Sequence, residues 1–537
     1  MKFLSSLALT FLLILNTFAQ KAPDRWFNLD YNQDGVAGVS ADKAIKELFK
    51  NKVAQDVIVA VIDGGTDAQH EDLKANMWVN TREIANNGID DDDNGYIDDI
   101  NGWNFIGGKN GSVDNDNIEI TRIYRDLNKK FGNMDLKNIP SDKKAEYKLY
   151  LKVKTEFTKK YDLAKRNYEL YYSFLKSYTA LKKDIGKDKI TNEDISSYKM
   201  TSSDVALALN YFHTIISNGG KIDDTDFEAE LKEGVEHFEV EYKYQLNTTF
   251  DSRAKLVGDD YSNIKERIYG NNEIKGPDAT HGTHVAGIIG AVRDNALGMD
   301  GICNHVKIMV VRCVPNGDER DKDVANSIRY AVDNGAKIIN MSFGKYYGTN
   351  KTAVDDAVKY AMNRDVLIVH AAGNEGYNLQ NKEHFPTRIF ADGSGQASAW
   401  IEVGASQPNM QPAPFSNYNK KSVDLFAPGT EIYSTTPDNE YKNLQGTSMA
   451  SPVVAGCAAL IRAYYPQLSA EQVKDVLMKS VTKVNGKMPL PLDDDQQESE
   501  KKVKPKKIKY SKLCKSGGIV NVYNAAKLAD SIKIAKK

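Results

Sequence analysis

Three residues of the chain stand in local settings that suit nucleophilic catalysis. Ser448 lies among small residues and precedes an apolar run with Pro452 in its first turn, which predicts a nucleophile at the start of a buried helix. His281 lies in a glycine-rich helical stretch, and Asp63 ends an apolar, β-branched run. A serine that attacks an acyl group needs a base to take its proton and an acid to orient that base. The three residue types together predict acyl transfer.

A fourth residue could stabilise the negative charge that forms during such a reaction. Asn374 directly follows a predicted strand, and its amide could donate to an oxyanion alongside the backbone N–H of Ser448. Each assignment has an alternative. Asn374 could be a turn residue and Ser448 a helix cap, while His281 and His284, three residues apart, could form a metal pair.

The elements that must position these residues alternate between strand and helix. Strand candidates are 57–62, 306–312, 337–341, 366–370, 398–403 and 424–426, with helix candidates at 323–334 and 352–363 between them. Such alternation predicts a mostly parallel, doubly wound α/β sheet, in which ligand sites gather at the carboxyl ends of the strands. We assign 53–111 and 276–537 to this domain.

The intervening residues 112–275 have a different composition. Glycine thins out, and Lys, Glu and Tyr dominate. Apolar positions, most of them aromatic, recur at alternating spacings of three and four from Tyr147 to Tyr178, with Lys154 breaking the series. This spacing predicts a largely helical insertion with an aromatic helix–helix core. A ligand surface is the alternative for this stripe, and the insertion could also contact an unknown partner.

The two ends of the chain give expectations about location. Residues 1–19 combine a basic start, an apolar stretch and a small-residue site ending at Ala19, which predicts a secretory signal peptide. Residues 20–52 lead into the first strand, and 493–509 form a charged loop, acidic and then basic. We expect a secreted or periplasmic protein that has no membrane segment after signal cleavage. A net charge of −2 gives no general attraction to nucleic acid.

An acidic loop is the main candidate for a metal site. Asp90, Asp92, Asn94 and Asp98 occupy positions 1, 3, 5 and 9 of a stretch with glycine at position 6. That spacing is similar to the start of an EF-hand calcium loop, although position 12 is Asn101 rather than Glu. The pattern predicts a structural Ca²⁺ site, with a plain acidic turn as the alternative. No motif suggests an organic cofactor.

The three catalytic contexts together resemble the subtilisin family (subtilases). The motifs are V-I-D-G-G around Asp63, H-G-T-H-V-A-G from His281 and G-T-S-M-A-S-P around Ser448, in the family's order of acid, base and nucleophile. The resemblance covers about 53–107 and 276–480. It implies a three-layer α/β subtilisin-like fold and a secreted serine endopeptidase acting on protein or peptide substrates.

The same resemblance implies roles for individual residues. Asp63 orients His281, His281 moves the proton, Ser448 attacks, and Asn374 completes the oxyanion hole. Pairing with an extended substrate falls to Ser342, Phe343 and Gly344, and the pocket beside the cut also involves Ala372 and Gly373. His284 becomes structural, and Asp72 with Asn295 becomes a second calcium candidate.

Three features depart from the family pattern. Gly64 replaces the usual Ser or Thr after the acid, which removes a hydroxyl near the carboxylate. A helical insertion separates the acid from the base. Too few residues lie between Ala19 and Asp63 for the usual folding prodomain, so we expect folding without one. Two rival functions are a catalytically silent binding protein and a transpeptidase that transfers the acyl group to an amine.

Overall fold

The computed structural model describes residues 22–222, 226–380, 382–491 and 506–532. The predicted signal peptide and most of the charged loop 493–509 lie outside these residues. Residue contacts divide the chain into two units. The first takes in the described residues up to Asp114, Arg253–Pro315 and those from Glu319 onward, and the second is Asn115–Ser252 with 316–318.

Fifteen strands lie in the described part of the chain. They are β1 (Val57–Asp63), β2 (Gly102–Asn104), β3 (Gly107–Gly108), β4 (Gly111–Ser112), β5 (Val306–Arg312), β6 (Ile338–Met341), β7 (Leu367–Ala371), β8 (Trp400–Ser406), β9 (Leu425–Pro428), β10 (Ile432–Thr436), β11 (Glu440–Leu444), β12 (Thr482–Lys483), β13 (Lys487–Pro489), β14 (Lys507–Lys509) and β15 (Gly518–Ile519).

The α-helices of the described residues run in chain order from α1 to α14. They are α1 (Tyr31–Asp34), α2 (Ala41–Ala44), α3 (Glu119–Phe131), α4 (Lys144–Ile185), α5 (Asn192–Ser197), α6 (Ala206–Ser217), α7 (Phe227–Val240), α8 (Arg253–Leu256), α9 (Thr280–Gly290), α10 (Asp321–Asp333), α11 (Lys351–Met362), α12 (Thr447–Tyr464), α13 (Ala470–Lys479) and α14 (Val522–Ser531).

A nine-stranded sheet organises the first unit. Its order is β12-β15-β9-β8-β7-β6-β1-β5-β2, and every neighbouring pair is parallel except the edge pair β12–β15. Because the strands are covered on both faces, they read as nearly continuous apolar runs rather than alternating ones.

Residues along β1 show how the sheet separates two cores. Val57, Val59 and Val61 face the core that holds α9, α12, α13 and α14, whereas Ala60 and Ile62 face the core that holds α10 and α11. Successive side chains of a strand point to opposite faces, so one apolar strand can pack against helices on both sides. The predicted three-layer α/β fold with a mostly parallel sheet is confirmed.

The second unit is a helical domain built around the long helix α4. Phe157 of α4 stacks on Tyr124 of α3 at 4.3 Å between ring centroids, and Tyr178 meets Phe227 of α7 at 5.3 Å. The ring contacts and the burial of Tyr150, Phe157 and Tyr178 make the aromatic stripe a helix–helix core, as predicted. The large helical region expected between the acid and the base is therefore present.

The second unit is shorter than the predicted insertion 112–275. Residues 253–275 belong to the first unit. Buried Arg253 ties them to it through ion pairs with Asp259 (2.9 Å) and Asp323 (2.6 Å). Tyr269 also donates to Asp323 at 2.7 Å. The composition of this segment resembles that of the insertion, and only its long-range contacts separate the two.

All four cysteines, Cys303, Cys313, Cys457 and Cys514, are free and buried. They therefore contribute to the packed core as small buried side chains and not as a disulfide frame. Among the residues that the structure describes, no helix is both long and apolar enough to span a membrane.

Candidate active site

Asp63 and His281 meet at the carboxyl edge of the sheet. Asp63 is the last residue of β1, and His281 lies in the first turn of α9. The Nδ1–H of His281 donates to Oδ1 of Asp63 at 2.7 Å, and the backbone N–H of Gly64 donates to the same oxygen at 2.8 Å. Because a carboxylate only accepts, this contact assigns the proton to Nδ1 and leaves Nε2 as the free nitrogen.

The two side chains differ in exposure. The Asp63 side chain is 5% exposed, whereas that of His281 is 43% exposed. No described residue forms a hydrogen bond with the Nε2 atom of His281. The acid is therefore sheltered from water while the working edge of the imidazole is open, as a general base requires.

Burial and charge act in opposite directions on the pKa of His281. Burial disfavours the charged ring, but the Asp63 carboxylate, its hydrogen bond and the more distant Asp278 outweigh burial and raise the pKa above 6.5. This electrostatic setting favours the imidazolium that forms when the ring accepts a proton.

The second oxygen of Asp63 is unusual. Oδ2 is buried and has no hydrogen-bond partner among the described residues. A hydroxyl at position 64 is absent because that residue is glycine, and a Cβ there would lie 3.3 Å from the carbonyl oxygen of Val314. Asp63 is thus held through one oxygen only, in keeping with the departure noted in its motif.

Ser448 lies in the first turn of α12, with its hydroxyl turned toward the neighbouring strand segment. Its Oγ–H donates to the carbonyl oxygen of Ser342 at 3.1 Å, and the Ser342 hydroxyl donates back to the carbonyl of Ser448 at 2.9 Å. No hydrogen bond joins Ser448 to His281 among the described residues. The Ser448 hydroxyl must therefore turn from the Ser342 carbonyl before it can donate to His281.

Two hydrogen-bond donors lie close to one place beside Ser448. The Oδ1 atom of Asn374 accepts from the N–H of Thr447 (2.8 Å) and from its hydroxyl (2.9 Å), so that Nδ2 faces the other way. A Cβ placed on Gly446 would lie 3.5 Å from both Asn374 Nδ2 and Ser448 N. The two N–H groups could therefore share one acceptor, such as an oxyanion.

The predicted substrate segment extends β6 past its last paired residue. The carbonyl of Phe343 accepts from Nε2 of His370 at 2.9 Å. No described residue hydrogen-bonds the N–H or carbonyl of Gly344, so both are free to pair with an extended chain. Ala372 and Gly373, by contrast, use their backbone groups in contacts with Asn417 and Thr447.

The acidic loop brings together some of its predicted ligands and adds one. Carboxylate oxygens of Asp90, Asp92 and Glu83 lie within 4.8 Å of one another. Asp98 is turned away and accepts from the N–H groups of Asn87 (3.1 Å) and Gly88 (2.9 Å). Sequence spacing missed Glu83 because it lies outside the regular loop pattern.

Asn94, another predicted ligand, forms hydrogen bonds within the loop. Its backbone N–H donates to Asp90 (3.1 Å) and to Asp92 (3.2 Å), while its Oδ1 accepts from the N–H of Tyr96 at 2.7 Å. The loop is thus folded by its own side chains, with the carboxylates of Asp90 and Asp92 close together.

Asp72 and Asn295 are in direct contact. The Nδ2–H of Asn295 donates to Asp72 at 2.7 Å, and the N–H of Met299 donates to the other carboxylate oxygen at 3.2 Å. The amide presents its donor rather than its oxygen, so the pair is satisfied without a cation.

His284 is a buried structural residue. Its Nε2 lies 3.0 Å from the carbonyl oxygens of both Ile432 and Lys442, which ties α9 to the hairpin β10–β11. Burial lowers the pKa of His284 to about 4, so the ring is neutral at physiological pH. The structure thus gives His284 a contact with backbone carbonyls and His281 a contact with Asp63.

Comparisons with known proteins identify the family of the chain. The model of the subtilase family matches residues 54–494. Subtilisin DY of Bacillus licheniformis is 39% identical over 204 residues, which are 38% of this chain and 70% of that protein. Thermitase of Thermoactinomyces vulgaris is 37% identical over 207 residues, 38% of this chain and 68% of that protein.

One solved structure has a broader but looser similarity. Proteases from Pseudoalteromonas arctica overlap 95% of this chain and 98% of their own, at 18% identity and a TM-score of 0.46. The overlap is too loose to add to the family match, which spans most of the chain and both halves of the α/β unit. The chain belongs to the subtilase family and is a subtilisin-like serine peptidase.

Proposed function

We propose that the chain is an endopeptidase that hydrolyses peptide bonds through Asp63, His281 and Ser448, with an acyl-enzyme intermediate on Ser448. The observation that carries this proposal is the 2.7 Å contact between His281 Nδ1 and Asp63, which leaves Nε2 of an accessible ring free to act as a base. The α/β unit holds Asp63 at the carboxyl end of a strand, and it holds His281 and Ser448 in the first turns of two helices.

In the first step the Ser448 side chain rotates from the carbonyl of Ser342 toward His281. Nε2 takes the hydroxyl proton as Oγ attacks the carbonyl carbon of the substrate. The imidazolium that forms is stabilised by Asp63, whose contact with Nδ1 also keeps the ring in the correct tautomer.

The oxyanion of the tetrahedral intermediate accepts from Asn374 Nδ2 and from the N–H of Ser448. Such a donor stabilises the transition state by about 2.7–4 kcal/mol. His281 then protonates the leaving amine, the C–N bond breaks, and the acyl group stays on Oγ. Water, activated by the same Nε2, releases the carboxylic acid and restores Ser448.

The substrate in this proposal is an extended segment of a protein or peptide. Its backbone pairs with the free N–H and carbonyl of Gly344, in the segment Ser342–Gly344, as an added strand. The residue before the cut lies against this segment and the stretch Ala372–Gly373.

Product analysis in ¹⁸O-labelled water tests the proposal. We expect wild-type protein to cleave an unfolded protein substrate and place ¹⁸O in the new carboxyl ends, and Ser448→Ala to leave the substrate intact. Ser451→Ala is the matched control, because Ser451 lies on the same helix but donates to Asn340 at 2.8 Å instead of facing substrate. Folded wild type that leaves the substrate intact, or joins fragments without ¹⁸O uptake, would overturn hydrolysis.

We also propose a structural calcium ion in the acidic loop, since structural calcium is common in subtilases. Asp90, Asp92 and Glu83 converge with only Arg82, 2.7 Å from Asp92, as a described cationic neighbour. Hard oxygen ligands in a crowded loop favour Ca²⁺, which would relieve their mutual repulsion. A chelator should lower the melting temperature of wild type more than that of Glu83→Gln, and equal shifts would remove the site.

A third proposal concerns location. The apolar stretch before Ala19 supports secretion or release into a periplasm, with a mature chain that begins at Gln20. N-terminal sequencing of protein exported by its native host tests this, and retention of Met1 in exported protein would contradict it.

A further inference from the structure

A second cluster of ionisable side chains lies beneath the substrate segment. His370 on β7 and Glu402 on β8 are direct cross-strand partners, and His384 comes from the loop between these strands. His370 and Glu402 are buried and His384 is partly buried, with side-chain exposures of 0%, 9% and 8% for the three residues. The proposed catalytic steps use none of them.

His370 is held at both ring nitrogens. Nδ1 lies 2.9 Å from Glu402 Oε1, and Nε2 lies 2.9 Å from the carbonyl oxygen of Phe343. Both partners only accept, so this geometry places a proton on each nitrogen. Trp400 donates to the second oxygen of Glu402 at 2.9 Å, which fixes the carboxylate.

His384 is the third member of the cluster, and its Nδ1 atom finds no hydrogen-bond partner there. Its Nδ1 lies 3.8 Å from Glu402 Oε1, beyond hydrogen-bonding distance, and has no partner among the described residues. An unpaired polar atom in so buried a place is costly.

The three candidate ligand atoms lie within 4.8 Å of one another. Ligands of a tetrahedral zinc ion, each about 2.0–2.2 Å from the metal, are ~3.3 Å apart. Glu402 Oε1 lies 2.9 Å from His370 Nδ1 and 3.8 Å from His384 Nδ1, so the two distances fall on either side of this value. We propose that His370, His384 and Glu402 form a Zn²⁺ site, with the fourth position left to water.

Contacts around the cluster fit this assignment. A histidine that binds a metal through one nitrogen normally donates its other N–H to a carbonyl or carboxylate, and His370 already does so to Phe343. The hydrogen bond from Trp400 orients Glu402 in the same way. Zn²⁺ replaces the proton on His370 Nδ1 and gives His384 Nδ1 a partner, so one proton passes to solvent for each ion bound.

The ion would act on the substrate segment through its ligands. His370 holds the carbonyl of Phe343, and His384 packs against Gly344 so closely that a Cβ on that glycine would lie 2.3 Å from its Nε2. Zinc would therefore lock the segment that receives substrate. This consequence rests on the proposed peptidase function, whereas the metal site itself does not.

Metal binding by the full chain tests the site directly. Chelator-treated protein carrying Ser448→Ala, which prevents self-digestion, is titrated with Zn²⁺ against a fluorescent chelator. We expect one ion per chain with release of one proton, and Co²⁺ in its place to give the visible absorption of a tetrahedral ion. His384→Ala should weaken binding by more than the ~10–100-fold typical of losing a residue that only supports a ligand.

Glu383→Ala is the matched control, because Glu383 is the exposed neighbour of His384. It should leave the affinity unchanged. No Zn²⁺ binding to folded protein, or equal affinity in the His384→Ala and Glu383→Ala proteins, would overturn the site.

The link to substrate is tested separately in active protein. Removal of zinc should raise KM more than it lowers kcat. If zinc binds as expected but KM does not change, the site stands and its effect on the substrate segment is wrong.

Discussion

Two histidines of this chain make nearly the same contact in two different surroundings. His281 sets Nδ1 against Asp63 at 2.7 Å, and His370 sets Nδ1 against Glu402 at 2.9 Å. The first ring is 43% exposed with a free Nε2, whereas the second is fully buried and its Nε2 is bound to a backbone carbonyl. A histidine–carboxylate pair therefore does not by itself identify a general base.

The two histidines differ in whether Nε2 is free to accept a proton. A base must accept a proton from a reacting group, so one nitrogen has to be unbonded and within reach of the substrate. His281 meets this condition at the open edge of the sheet. His370, with both nitrogens engaged between two strands, can only support structure or hold a metal.

The largest expected difference between the two histidine–carboxylate pairs appears when each carboxylate is replaced by its amide. Asp63→Asn should lower kcat by ~10⁴-fold, because His281 loses its orienting partner and adopts the wrong tautomer. The melting temperature should change little. Kinetics with a peptide substrate, together with thermal unfolding, check both expectations.

The matched change in the buried pair should lower stability much more than it lowers kcat. Glu402→Gln removes the buried carboxylate that accepts from His370 and Trp400, so we expect the free energy of unfolding to fall by about 1–3 kcal/mol, measured by denaturant titration without added metal. The value of kcat should fall far less than in Asp63→Asn. Comparable losses of kcat in the two variants would erase the distinction between the pairs.

A smaller loss is expected from the proposed oxyanion donor. Asn374→Ala should lower kcat by ~10²–10³-fold with little change in KM, because Nδ2 acts only on the charge that develops in the transition state. Asn378→Ala is a suitable control, since Asn378 is an exposed residue four positions away on the same loop. A change confined to KM would place Asn374 in substrate binding instead.

The smallest effect concerns pH. Only neutral His281 can accept the proton of Ser448, so kcat/KM should fall on the acid side as the ring becomes charged. Because Asp63 raises the pKa of His281, the midpoint should lie above 6.5 in wild type and move to lower pH in Asp63→Asn. A pH–rate profile of both proteins decides this, and a midpoint that stays in place would show that Asp63 does not set the pKa.

Local pattern was enough to predict much of the fold. β1 and β5 are continuous apolar runs because both of their faces are buried, and the structure gives Val57–Asp63 and Val306–Arg312 their expected places in a parallel sheet. The three-layer fold and the membership in the subtilase family are confirmed. The place where the helical unit ends was not predictable, since Arg253 is tied to the first unit by contact with distant Asp323.

The site residues also differ in how far the sequence predicts them. Asp63, His281 and Ser448 each carry a long local motif, so sequence could single them out, whereas the direction of the Ser448 hydroxyl depends on its contact with Ser342. The cluster of His370, His384 and Glu402 has no spacing rule. A signal was nevertheless present, because a His and a Glu inside two buried strands must find partners there.

Covalent labelling shows whether Ser448 is an activated nucleophile. A fluorophosphonate probe reacts with a serine only where a base activates the hydroxyl and donors stabilise the resulting adduct. We predict that folded wild-type protein is labelled on the peptide that contains Ser448, and that Ser448→Ala is not labelled. Absence of label on folded wild type, or label that persists in Ser448→Ala, would show that Ser448 is not the activated nucleophile.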